Sequence, residues 1–201
     1  MTDTPPPVFG TVPPKRIPNR DRRSREHLTP AEVDLLMKTA KANRHGHRDA
    51  TAILTAYRHA LRVSELCALK WEQIDFAHAL LHVNRRKNGT PSTHPLRGDE
   101  LRALRRLRRE TPFSPYVFQS ERGTPLSPAG FLKMLARLGA AAGLPFPVHP
   151  HMLRHGCGFK LANDGHDTRS IQHYMGHKNI HNTVKYTDMA AGRFKDFFGD
   201  V

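Results

Sequence analysis

Signals that start and stop helices recur from Thr29 onward, and they leave space for only one short stretch of strand. Thr29-Pro30-Ala31-Glu32 supplies an N-cap, a proline at the first helical position and the returning acid of a capping box. The helix it opens is expected to run to about Asn43, with Val33, Leu36 and Met37 on one face. A second is expected over about 48–61, and Ser64 is placed to cap a short third helix through Leu69. Between Trp71 and Pro95 the helical period breaks. Ile74, Phe76, Leu81 and Val83 suit short strands there, and Lys87-Asn88-Gly89 is a hairpin-turn signal that puts Lys87 at or beside the tip. Helical spacing returns over 99–110, with Leu101, Leu104 and Leu107 inward and five arginines mostly outward. Ser127-Pro128 opens a further helix that Gly143 can close; another spans 151–164 and ends at Gly165; Asp167 can cap one over 168–174. Tyr186 falls near the end of a last short helix. The expected fold class is mainly α with one small antiparallel β-sheet.

Residues 1–27 are different in kind. Six prolines alternate with Lys15, Arg16, Arg20, Arg22, Arg23 and Arg25, a composition that forms neither helix nor sheet interior and offers little to pack. An extended or disordered basic arm is expected over 1–27, followed by one domain over 28–201. The chain carries 32 Lys and Arg against 18 Asp and Glu, a formal charge of +14. That excess favours a polyanion, because each cation set against a phosphate releases condensed counterions. Double-stranded DNA is the expected partner, ahead of an anionic membrane. No run of about 18 apolar residues or signal-peptide core occurs, so a cytoplasmic, nucleoid-associated protein is expected. Cys67 and Cys157, both in apolar helical contexts, are expected to be buried free thiols.

The chemistry concentrates between His149 and Tyr186, which reads HPHMLRHGCGF, then YMGHK, then a tyrosine nine residues after His177. Arg62 in LRVSEL and Lys87 in NRRKNGT add two cations upstream. Reversible cutting of a phosphodiester needs an attacking oxygen, neutralisation of the non-bridging oxygens and a proton for the departing oxygen. A phenol can serve as the nucleophile when a base assists. Guanidinium matches phosphate bidentately and keeps its charge, and a lysine on a hairpin suits the general acid. No metal or cofactor is called for.

On these motifs the chain resembles the phage-integrase family of tyrosine recombinases over about residues 28–198. LRVSEL carries the family's first arginine at Arg62; Lys87 stands on the hairpin ahead of HPL; HMLRH matches the H-x-x-R box with His151 and Arg154; MGH gives His177; and the nucleophile follows at Tyr186. The resemblance implies the DNA breaking-rejoining fold and a site of Arg62, Lys87, His151, Arg154, His177 and Tyr186. It implies that Tyr186 attacks the scissile phosphate, leaving a 3′-phosphotyrosyl bond and a free 5′-hydroxyl. Arg62, Arg154 and His177 would hold the phosphate, His151 would exchange the tyrosine proton and Lys87 would protonate the leaving oxygen. Only the basic arm precedes Thr29, and with the run GHKNIHNTVKYT through AGRF this resembles the small fimbrial phase-variation DNA invertases. Inversion of a short segment between inverted repeats is the implied role, with tetramer assembly on paired sites and accessory DNA-bending proteins as further partners. Integration or excision of a mobile element is the same chemistry on other sites. A type IB topoisomerase-like enzyme and a catalytically inert DNA-binding protein are the remaining readings.

Other readings of single residues weigh against these. Tyr174 follows Ile171 at helical spacing and suits core packing, and Glu65 suits a partner for a nearby arginine or backbone group. His151 and His155 share a helical face as a zinc pair would, yet Met152 occupies the place where a metalloprotease motif needs glutamate. Two-metal nucleases need converging carboxylates. From His149 to Tyr186 only Asp164 and Asp167 are acidic, and helix ends account for both. Phe194, Phe197 and Phe198 lie on one face if helical, a surface that either folds back onto its own core or crosses to a neighbouring protomer.

Overall fold

A computed structural model of the chain describes residues 25–85, 89–111, 113–188 and 190. The greater part of the expected basic arm, Lys87, which the turn signal places at the tip, and the three phenylalanines near the C-terminus lie outside the described residues.

Helix α1 (Pro30–Lys41) begins with the expected capping box. Thr29 Oγ1 accepts from the Glu32 amide at 3.3 Å, and Glu32 Oε2 accepts from the Thr29 amide at 2.8 Å. Helix α2 (Gly46–Arg58) packs against α1 through a tight turn in which a side chain at Gly46 would meet the Lys41 carbonyl at 2.5 Å. It stops three residues short of the expected end. Ala60 then adopts a left-handed backbone, φ 49°, and the Leu61 amide closes back onto the Ala56 carbonyl at 3.0 Å. Arg62 consequently stands between helices, at the cap position of α3 (Val63–Cys67), and the Glu65 carboxylate accepts its amide at 2.9 Å. The expected cap at Ser64 is thus displaced by two residues, because Glu65 satisfies the first exposed amide instead.

A single 3₁₀ turn (Trp71–Gln73) leads into a three-stranded antiparallel sheet, β1 (Ile74–Asp75), β2 (Leu80–Val83) and β3 (Ser92–Pro95), in the order β1-β2-β3. Leu81 lies opposite both Ile74 and His94, so its fully buried side chain sets the register. Helix α4 (Gly98–Glu110) buries Leu104 and Leu107 and exposes its arginines. Helices α5 (Pro128–Ala141), α6 (Pro150–Asn163), α7 (Thr168–Met175) and α8 (His181–Asp188) complete the described domain. Ser127 and Asp167 cap α5 and α7 as expected, and Gly143 and Gly165 take positive φ after α5 and α6.

Helix α6 is the central support. It packs on α2, α7 and α8, and two of its glycines permit close approach: a side chain at Gly156 would strike the Leu28 carbonyl at 2.5 Å. Residues 25–28 run along it, with Leu28 buried, the His27 ring 4.2 Å from Phe159, and Arg25 over Phe146 while bonded to Glu32. Cys67 and Cys157 are free and buried, and burial raises each thiol to about 12. Among the described residues no helix is long and apolar enough to cross a membrane.

Candidate active site

Arg154, on the second turn of α6, is buried and bridges two chain turns. Its Nη1 donates to the Ala60 carbonyl and its Nη2 to the Met175 carbonyl at 2.7 Å. Met175 ends α7, where helix carbonyls lack internal donors and carry the negative end of the helix dipole. Gly176 then turns the chain at φ 64° and delivers His177. The spacing of Met175, Gly176 and His177 therefore has a mechanical reason: one residue offers a carbonyl to the arginine, the next reverses the backbone and the third enters the site.

His177 Nδ1 lies 2.8 Å from Thr183 Oγ1, and its ring is stacked nearly parallel to Tyr186 with centroids 6.4 Å apart. Burial, then Arg154 and Arg62, push its pKa down to about 3, so the ring is neutral. Arg62 reaches Glu65 Oε1 at 2.8 Å and keeps a quarter of its side chain exposed.

A third guanidinium completes this cluster. Arg85 lies just beyond β2 with its side chain fully enclosed, donating to Glu65 Oε2 at 3.1 Å, to the Ala60 and His59 carbonyls at 3.3 Å, and to the Tyr174 carbonyl. A side chain at Gly176 would run into it at 2.7 Å. Arg62 and Arg85 thus share one carboxylate, Glu65, which fills the partner role expected of it, while Arg154 and Arg85 share the Ala60 carbonyl. Burial, then Arg62 and Arg85, hold Arg154 down to about 10. Such crowding favours a visiting anion, and the unused N–H groups of Arg154 and Arg62 are the donors that can meet it.

Tyr186 is 1% exposed. Its ring meets Phe159 edge-on at 5.1 Å and rests on the backbone of Gly158. Burial raises the phenol above its ordinary pKa, against the opposing pull of Arg154. Its hydroxyl stands 2.7 Å from His155 Nδ1. His151, exposed on α6, has its ring 6.1 Å from that of His155. The histidine touching the phenol is therefore one turn beyond the one the motif points to.

The hairpin is tied to the same turn. His94 on β3 stacks on Tyr174 at 3.8 Å and lies 3.1 Å from His59, which in turn lies 3.0 Å from the Glu100 carboxylate. Tyr174 is a packing residue, as expected, and its hydroxyl donates to the Arg58 carbonyl at 2.7 Å. Arg62, Arg154, His177 and Tyr186 converge; His151 stands at the edge; Lys87 lies outside the described residues.

A model of the phage integrase family matches residues 26–193. The chain belongs to that family. Among its relatives, the type 1 fimbriae regulatory protein FimB of Escherichia coli K12 is 42% identical over 179 residues, covering 87% of this chain and 90% of FimB. FimE of the same organism is 41% identical over 176 residues, covering 85% of this chain and 89% of FimE. The tyrosine recombinase XerA of Pyrococcus furiosus is 36% identical over 173 residues, covering 84% of this chain and 59% of XerA. A crystal structure of XerA recombinase superimposes with a TM-score of 0.74 at 23% identity, covering 90% of this chain and 68% of that one, which establishes the fold. As a member of the phage integrase family this chain is a site-specific tyrosine recombinase.

Two residues packed into this cluster escaped the motif reading. Arg85 was legible in principle: Leu81, Val83 and Arg85 share one parity along a strand whose alternate residues, His82 and Asn84, are exposed. His155 shares a helical face with His151, but its partner on α8 is set by packing alone.

Proposed function

We propose that the protein recombines double-stranded DNA through a 3′-phosphotyrosyl intermediate and that its role is to invert a short segment between inverted repeats. The observation that carries the chemistry is the cluster of three guanidiniums, Arg62 and Arg85 on the Glu65 carboxylate and Arg154 on the Ala60 carbonyl it shares with Arg85, beside a buried tyrosine. A scissile phosphate entering there meets Arg62 and Arg154 at its non-bridging oxygens, with His177 adding a hydrogen bond. Tyr186 attacks phosphorus, the phosphorus–5′-oxygen bond breaks, and Lys87 gives the departing oxygen its proton. His151, exposed at the edge, exchanges protons between the site and solvent. A phosphotyrosyl ester conserves the bond energy, so a second 5′-hydroxyl reverses the step without an added energy source.

Inversion is supported by FimB and FimE, which are named as regulators of type 1 fimbriae and match along most of their length. A recombinase acts as a regulator when the segment it turns around carries a promoter. Exchange of four strands requires four tyrosines, hence a tetramer on paired sites, and bending proteins aid that assembly. The protein acts in the cytoplasm on nucleoid DNA.

The test of the chemistry is a suicide duplex nicked beside the cleavage site and resolved on a denaturing gel. Wild type is expected to form a covalent band, in EDTA as well as without it, and Tyr186→Phe to form none. A band from Tyr186→Phe overturns the nucleophile. For the role, the DNA flanking the gene is expected to hold a short inverted repeat, and a reporter promoter placed between its two copies to change orientation when the protein is expressed; an orientation that stays fixed overturns inversion.

A further inference from the structure

The nucleophile has a built partner that the motif does not name. Tyr186 Oη and His155 Nδ1 are 2.7 Å apart, and His155 Nε2 lies 3.9 Å from Glu26 Oε2. Phenol, imidazole and carboxylate stand in series. In the tautomer protonated at Nε2, the ring presents the bare Nδ1 lone pair to the phenol, which donates. A base within hydrogen-bond reach activates a weak oxygen nucleophile, and the Glu26 carboxylate, beyond hydrogen-bond reach, acts on the ring by its charge.

Three features of the surroundings hold this geometry. Phe159 packs edge-on against the Tyr186 ring, Gly158 removes the side chain that would otherwise displace it, and the histidine's side chain is only 17% exposed. His151 is on the same helix face but exposed. We propose that His155 is the catalytic base that takes the Tyr186 proton, with the charge of Glu26 favouring the imidazolium that forms. The proposal rests on Tyr186 being the nucleophile.

In the step so assigned, the Oη–phosphorus bond forms as the phosphorus–5′-oxygen bond breaks, and the phenolic proton passes to His155 Nδ1. The imidazolium that results faces Glu26. In the reverse step, the incoming 5′-hydroxyl displaces Tyr186, and His155 returns the proton to the phenolate. Burial, then Lys185 on α8 and His151, Arg154 and His149 on or beside α6, push the ring down to about 3. A phosphate seated among the arginines offsets those positive charges and makes the ring a better proton acceptor.

The experiment uses the full-length protein and the nicked suicide duplex, with the single-turnover rate of adduct formation measured at saturating DNA and affinity measured separately. His155→Asn, which can accept a hydrogen bond but cannot carry the proton, is expected to slow the adduct by about 100-fold with DNA affinity within about 3-fold of wild type. Replacing Tyr186 by a fluorinated tyrosine of lower phenol pKa is expected to restore much of the rate in His155→Asn and to change wild type little, a response that mere loss of packing does not give. Glu26→Gln, at a half-exposed position that tolerates change, is expected to slow the adduct by about 10-fold, and Glu26→Asp to recover part of it. Should His155→Asn lose its DNA affinity or its cooperative melt, the two Glu26 variants carry the test. Wild-type rates in His155→Asn or in Glu26→Gln, or no response to the fluorinated tyrosine, overturn the assignment. An adduct in Tyr186→Phe overturns the nucleophile itself, so the two failures are distinct.

Discussion

Gly158 and Tyr186 are in direct contact across α6 and α8: a β-carbon at 158 would stand 2.8 to 2.9 Å from three carbons of the phenol ring. The two are 28 residues apart in sequence, yet the seat of the phenol exists only because one helical position carries no side chain.

Gly158→Ala is therefore expected to shift the ring away from His155. Overpacking of this kind costs about 1–3 kcal/mol, partly offset by the better helix propensity of alanine. The adduct on the suicide duplex is expected to form at least about 10-fold more slowly, as a displacement near 1 Å does to reacting groups. Thermal unfolding and single-turnover cleavage check the two effects. A variant that cleaves at the wild-type rate shows that the ring does not need this seat.

Ala60→Gly is expected to act in the opposite sense on stability. Ala60 holds φ 49° while its carbonyl accepts from Arg154 and Arg85. The left-handed conformation costs a non-glycine residue about 1–2 kcal/mol, of which glycine returns part to the unfolded chain as entropy. A net gain of roughly 0.5–1 kcal/mol in urea unfolding is expected, with cleavage unchanged because the carbonyl stays where it is. A loss of stability would mean that the alanine methyl contributes more by packing than its backbone costs.

Glu65 sets an acid limit on the fold. Burial opposes its charge, but the Arg62 amide and the guanidiniums of Arg62 and Arg85 outweigh burial, and its pKa lies below the ordinary 4.5. A folded pKa below the unfolded one contributes stability that is fully present above the unfolded value and lost as pH falls through the folded value. Glu65→Gln is expected to lose about 3–5 kcal/mol at neutral pH, since it leaves the enclosed Arg85 without its counter-charge. It should also flatten the decline of stability below pH 4.5. Urea titrations at several pH values check both; an unchanged acid slope would assign that slope to other carboxylates.

Removing residues 1–24 is expected to weaken DNA binding more than cleavage. Five cations, Lys15, Arg16, Arg20, Arg22 and Arg23, lie in that segment. Each phosphate contact they make contributes about 0.9 to the logarithmic salt dependence on duplex DNA. Affinity measured over a range of salt checks this, and an identical slope in the truncated protein would show that the segment makes no such contact.

Local signals decided the order of elements. Thr29, Ser127, Asp167, Gly143 and Gly165 act within a few residues of themselves, so the helix ends they set stand close to where the sequence places them. The hairpin followed from strand parity and the Lys87-Asn88-Gly89 turn signal. Motif spacing brought Arg62, Arg154, His177 and Tyr186 into one list, because each is fixed by its own helix end. Tertiary structure decided everything that depends on two distant segments meeting. That α2 stops at Arg58 and turns through a strained Ala60 follows from the arginines that claim the Ala60 carbonyl, one from α6 and one from beyond β2. That Arg85 belongs to the site depends on Tyr174 and Gly176 reaching it from α7. His155, not His151, meets the phenol because α8 crosses α6 at Gly158, a contact governed by packing volume, which no period in the sequence records.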